Sequence, residues 1–143
     1  MFRWNHQYSV EVDTPLHVAW NFFTDPSHWP LYDDRMEAFI FDGDFKSGAQ
    51  VKLKLKNKPN HIGILLTEVK PHREYRTLIH SLLAKEEKLT SFEVLAPNKT
   101  RVTFQICVLS CLVPFIKSKL LKNIEEAQAK SAQALFRYIR QFS

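Results

Sequence analysis

The chain has 143 residues, about one domain's worth, and its 45% hydrophobic and 24% charged content is that of a protein built around a core, which excludes disorder. Lys and Arg outnumber Asp and Glu by 20 to 15, and the resulting +5 favours anionic surfaces without naming one. Only three glycines are present, with no G-x-G-x-x-G, phosphate loop or nucleophile elbow, which argues against nucleotide chemistry.

Cys107 and Cys111 sit four apart in an apolar stretch and read as buried free thiols rather than as part of a secreted disulfide framework. The amino terminus lacks the charged-then-apolar pattern of a signal peptide, so the expected compartment is the cytoplasm. The most apolar window, Ile106 to Ile116, is broken by Ser110 and Pro114 and falls short of the roughly 20 residues that span a bilayer.

From Arg3 to Val12, His6, Tyr8, Val10 and Val12 alternate with Gln7, Ser9 and Glu11, which predicts a half-buried strand. Asp13-Thr14-Pro15 then offers a side-chain cap and a fixed φ for a helix start, and Leu16, Ala19, Trp20 and Phe23 follow at helical spacing. The two prolines of Asp25-Pro26-Ser27-His28-Trp29-Pro30 predict one further helical turn and an exit loop. Period two returns at Met36. Breaks at Gly43 and Gly48, 57–60, 70–71, 83–85 and 96–98 divide the chain into strands near 36–42, 49–56, 61–70, 73–82, 86–95 and 100–110. Their short links favour an antiparallel meander. After Pro114, Ile116, Leu120, Ile124, Ala127, Ser131, Leu135 and Tyr138 recur every three to four residues, so the chain closes on a long amphipathic helix. No linker or repeat interrupts residues 1–143, and a single domain is expected.

The order β-α-α-β6-α, with Val10-Glu11-Val12-Asp13-Thr14-Pro15, Val18-Ala19-Trp20, the run from Thr24 to Tyr32, Gly43-Asp44-Phe45-Lys46-Ser47-Gly48 and Thr67-Glu68-Val69-Lys70-Pro71, resembles the START-like helix-grip (SRPBCC) superfamily. That superfamily includes lipid-transfer domains, the birch-pollen allergen type and polyketide cyclases. The resemblance implies an α+β fold in which a curved antiparallel sheet grips the C-terminal helix around a cavity, and it places Trp29, Tyr32 and Met36 at the entrance. Parity puts Leu53 and Phe104 inward, with Ile64, Tyr75 and Phe92 on strands of softer phase, while Leu120, Ile124 and Gln128 look in from the helix. Leu135, Tyr138 and Phe142 are expected to pack onto the sheet at the narrow end. These eleven lining residues, Trp29 to Gln128, are the candidate ligand site, and a hollow of about 300–1,000 Å³ would suit a small molecule. Tyr75 and Gln128 stand out because a buried hydroxyl or amide needs a partner that a ligand can supply.

Catalytic and metal motifs are lacking. The six histidines form no H-x-H or H-E-x-x-H, and no C-x-x-C occurs, so neither metal nor cofactor is expected. His6 and His80 are the histidines that could face the interior as general bases, and Asp33-Asp34 reads as a solvated loop pair. The row Lys52, Lys54, Lys56 and Lys58 reads first as protection of a sheet edge. Lys117, Lys119 and Lys122 lie near the start of the last helix, where the dipole disfavours cations unless they serve a contact such as a membrane surface. The functional expectation is a non-catalytic carrier or sensor of a small hydrophobic ligand (lipid, quinone or aromatic polyketide), with a possible transient membrane surface as a second partner. Nucleic acid and an obligate protein partner are not expected. The alternatives are a cyclase or dehydratase acting on a bound ring and a ribosome- or chaperone-type interaction module.

Overall fold

The computed structural model describes residues 2–33, 36–41, 43–56, 61–81 and 83–141. Strand β1 (Phe2–Val12) leads into helix α1 (Leu16–Phe23) and a 3-10 helix (Pro26–Leu31). Six strands follow, β2 (Met36–Ile40), β3 (Gln50–Leu55), β4 (His61–Lys70), β5 (Glu74–His80), β6 (Ala84–Ala96) and β7 (Lys99–Ser110), and then helix α2 (Val113–Gln141). Every element expected from the sequence is present. β6 begins within the expected turn at 83–85, at Ala84, because Ala84 and Lys85 pair with Ser110 and Leu109 of β7. Asp42, the turn at 57–60 and Phe142 lie outside the described residues.

The seven strands form one antiparallel sheet in the order β1-β7-β6-β5-β4-β3-β2, a meander to which the first strand is added beside the last. Register shifts between Met36 and Ala38, Leu66 and Glu68, and Val94 and Ala96 mark irregularities of the bulge type, which bend and twist a strand and so help the sheet to curve. Gly43 (φ 112°) and Gly48 (φ 90°) occupy left-handed positions in the β2–β3 connection, where a side chain would be strained. The edges are β1 and β2. Lys52 and Lys54 of the lysine row therefore guard no edge, since β3 is paired on both sides, and Lys54 instead holds Glu37 of β2 at 2.8 Å; Lys58 lies outside the described residues.

The inner face carries the alternating apolar set, with Val10, Val51, Leu53, Ile64, Leu66, Val102 and Phe104 all buried. On the outer face Arg101 joins three strands by reaching Glu11 and Glu93, each at 3.1 Å, and its guanidinium holds the Glu11 carboxyl below the usual range. Helix α1 starts at Pro15 without the expected side-chain cap, and the carbonyl of Thr14 accepts from the buried Thr100 hydroxyl at 2.9 Å. Asp25 does cap the 3-10 helix, accepting from the Ser27 N–H at 3.0 Å.

In α2, Leu135 is fully buried, but Tyr138 closes against Phe22 (5.1 Å between ring centroids) and His28 (5.0 Å) rather than onto the sheet. The far end of the long helix is thus held by α1 and the 3-10 helix. Its first half takes no part in those ring contacts and is thinly buried: between Val113 and Glu126 only Val113 and Ile124 are buried. Among the described residues no helix is long and apolar enough to cross a membrane.

Candidate functional site

The site is built on the C-terminus of α1, whose last carbonyls have no partner within the helix. The Phe22 carbonyl is met by His28 Nδ1 at 2.7 Å. The Phe23 carbonyl accepts two bonds, from Trp29 Nε1 at 3.0 Å and from the Tyr75 hydroxyl at 3.1 Å. The 3-10 helix and strand β5 are therefore fastened to one buried oxygen, and Trp29, Tyr32 and Tyr75 are locked inside as walls.

Among the described residues two narrow clefts lie in the interior. The first, about 30 Å³, lies between the 3-10 helix and the inner face of β4 to β6, with Trp29, Tyr32, Met36, Ile64, Tyr75, Thr77 and Ile79 around it. The second, about 50 Å³, lies between α2 and β1, β6 and β7, with Trp4, Tyr8, Ile106, Val108, Leu120, Asn123 and Ile124 around it. Asp33, Glu86 and Lys88 border both clefts. The expected ligand-sized hollow is thus mostly filled by the protein's own rings, because Tyr8, Phe23 and Phe104 pack at centroid distances of 4.8 and 5.7 Å through the middle of it.

Of the eleven candidate lining residues, Trp29, Tyr32, Met36, Ile64 and Tyr75 meet in the first cleft and Leu120 and Ile124 in the second. The other four lie elsewhere. Leu53 and Phe104 are sealed in the core. Phe92 is only half-buried and packs edge-on to Trp20 at 5.2 Å, toward α1. Gln128 does not face the interior space, since its amide donates to the Ser9 carbonyl on the unpaired edge of β1 at 3.1 Å. Tyr75 also has its partner already, so neither polar group awaits a ligand. Among the described residues the buried hydroxyl without a hydrogen-bond partner is that of Thr90, which lies close to the Tyr75 hydroxyl. His80 is exposed on the outer face, and His6 is half-exposed between Trp4 and Tyr8 and lines neither cleft. Of the thiols, Cys107 is half-buried and Cys111 exposed, because β7 ends at Ser110 before the second is covered.

Asp33 is not the solvated loop residue expected, since it is half-buried at both clefts, while its expected companion Asp34 lies outside the described residues; Glu86 and Lys88 are not singled out by the sequence. Stepping back by twos along β6 from Phe92 and Thr90 leads to Lys88 and Glu86, so their inward direction was readable; their charge argued against it. Lys88 Nζ stands 4.8 Å from the Phe104 ring centroid and 5.9 Å from that of Tyr32, a setting in which ring faces stabilise a cation. Burial pushes the Tyr32 hydroxyl well up, helped by Tyr75, Tyr8 and the Asp33 carboxylate, and burial likewise raises Tyr75. Both phenols stay neutral donors. Larger hollows exist on the surface, among them about 360 Å³ on the outer face of the sheet by Gln7, Arg76 and Gln105, and about 410 Å³ between the 3-10 helix and α2 by His28 and Arg137. The outer-face hollow has no Phe, Tyr or Trp in its wall, and the groove by α2 has Tyr138 and His28 among mostly polar and charged side chains.

No family model matches the sequence, and no curated protein matches it significantly. Its backbone, however, closely follows solved structures. Norcoclaurine synthase from Thalictrum flavum superposes with a TM-score of 0.73 at 12% identity, over 96% of this chain and 94% of that one. A START superfamily protein from Mycobacterium smegmatis gives 0.73 at 16% identity (97% and 99%), and the Zhui aromatase/cyclase from a Streptomyces species 0.74 at 10% (98% and 95%). The fold is the START-like helix grip, as the sequence resemblance implied. At such identities the likeness defines the fold, and function rests on the site.

Proposed function

We propose that the chain binds a small hydrophobic ligand carrying one polar group in the space between sheet and α2. The observation that carries this reading is the meeting of two aromatic- and aliphatic-walled clefts at three charged side chains, Asp33, Glu86 and Lys88. Apolar walls favour a ring or short chain, at about 0.8 kcal/mol per buried methylene, and the charged junction selects a guest with a polar end. Entry requires the clefts to widen. The thinly buried first half of α2 is the part that can move at low cost, since little apolar surface is uncovered when it does.

Fluorescence titration with 2-naphthol, a ring with one hydroxyl, tests the reading. Saturable one-to-one binding is expected, weakened on the order of tenfold by Ile79→Phe, which overfills the first cleft. Absent binding, or binding indifferent to that substitution, overturns it.

The same charged trio favours a second reading, an enzyme acting on the bound ring, because carboxylates and an amine among apolar walls are suited to proton transfer. Incubating a copurifying ligand with the chain and with Lys88→Met separates the two. A mass change produced only by the unsubstituted chain assigns an enzyme, whereas an unchanged ligand assigns a carrier.

A further inference from the structure

Ser110 ends β7 at one tip of the molecule and gathers three other segments there. Phe2 of β1 pairs with it on one side and Ala84 of β6 on the other. Its hydroxyl donates to the Leu83 carbonyl at 2.9 Å and accepts from the Leu112 N–H at 3.1 Å. The Leu112 carbonyl in turn accepts from Phe115 N–H at 2.9 Å in the first turn of α2. One hydroxyl thus holds together four apolar residues that the fold leaves outside: Phe115 is 85% exposed, Phe2 56%, Leu83 53% and Leu112 41%. An isolated exposed Leu is ordinary, but four large apolar side chains at one tip are a patch.

Cations flank the patch. Arg3 and Lys85 pair with Leu109 from its two sides, one residue inward from the tip, and Lys117, Lys119 and Lys122 lie along the start of α2. All five are exposed, and none forms an ion pair among the described residues. Elsewhere on the sheet Lys54, Lys70, Arg76, Lys99 and Arg101 are each paired, while Lys52 on β3 is exposed and forms no ion pair among the described residues. The first turn of α2 contains no acidic residue to offset its lysines.

We propose that this tip docks the protein on an anionic lipid bilayer, with Phe115, Leu112, Leu83 and Phe2 entering the headgroup boundary and the five cations resting on the lipid phosphates. Apolar area combined with basic charge is the recognition chemistry of such surfaces. A second copy of the chain is disfavoured as the occupant, because it would bring two like-charged rims together. The tip also lies two residues from Trp4 and Val108 in the wall of the second cleft, so a docked molecule would present that cleft near the bilayer.

The test is cosedimentation of the full chain with phosphatidylcholine vesicles, with and without phosphatidylglycerol, at physiological salt. The chain is expected to pellet with the anionic vesicles only. Each lysine near such a surface contributes about a fivefold factor, so Lys117→Glu with Lys119→Glu lowers partitioning on the order of 25-fold or more. Phe115→Ser lowers it about tenfold or more while circular dichroism stays unchanged, because that side chain is 85% exposed. Lys52→Glu, exposed on β3 away from the tip, leaves partitioning within about twofold. Three results would overturn the proposal: no pelleting with anionic vesicles, equal pelleting with phosphatidylcholine alone, or equal sensitivity to Lys52→Glu. So would a dimer in light scattering that Phe115→Ser dissolves in a chain that ignores vesicles.

Discussion

The shared carbonyl of Phe23 allows a double-mutant cycle whose outcome follows from geometry. Trp29 Nε1 and the Tyr75 hydroxyl both donate to it, at 3.0 and 3.1 Å. Tyr75→Phe removes one donor and leaves the oxygen bonded, which costs about 1 kcal/mol. Trp29→Phe also removes one donor and shrinks a buried ring, for about 2 kcal/mol in all. Together they leave a buried carbonyl with neither side-chain donor, which adds the desolvation penalty of about 1–3 kcal/mol on top of the two single losses. Loss of ring volume occurs in both the single and the double variant and cancels in the cycle. Urea unfolding of the four chains should therefore give a coupling of about 1 kcal/mol or more, with the double variant less stable than the sum. Additivity within about 0.3 kcal/mol would refute the idea that one oxygen fastens the 3-10 helix to β5.

Three further expectations concern the interior. Tyr32 and Tyr75 have raised pKa values in the folded state, so their contribution is complete below the unfolded value near 10 and is lost as pH rises above it, by up to about 1.4 kcal/mol per unit for each. Alkaline titration followed at the phenolate band should show both ionising only with unfolding; smooth ionisation of all four tyrosines in the folded chain would contradict their burial. Phe104→Ala should destabilise by about 3–5 kcal/mol in urea unfolding and join the two clefts, strengthening 2-naphthol binding in whatever fraction stays folded; a loss under about 1 kcal/mol would show that this ring does not fill the interior. Thr90→Val should raise stability by about 1 kcal/mol by deleting a buried hydroxyl without a partner, and a loss of similar size would reveal a bond to Tyr75 instead.

Alternation and helical spacing carried the architecture. A residue such as Val51 between two lysines can face only one way when one sheet face is buried, and this logic places β3, β4 and β7 within a residue or two. The charged junction was harder to foresee. Glu86 and Lys88 hold inward positions that polarity alone would send outward, and that of Lys88 is explained by Tyr32 and Phe104, which come from distant segments. Asp33 arrives from a loop whose path has no periodic signal. Tyr75 faces inward as expected, but its partner and that of Gln128 are not legible in the sequence, because a carbonyl at a helix end and one on an unpaired strand edge are features that exist only once the elements have been assembled. How far the cavity closes was equally unreadable, because it depends on the ring stacking of Tyr8, Phe23 and Phe104.

The three tryptophans report on the interior directly, since Trp29 lines the first cleft, Trp4 the second and Trp20 neither. Nitrogen-proton NMR of the indole groups during titration with 2-naphthol should move the Trp29 and Trp4 signals together and saturably while Trp20 stays in place. Stationary Trp29 and Trp4 signals, with shifts confined to the surface groove by His28 and Arg137, would contradict binding between sheet and helix.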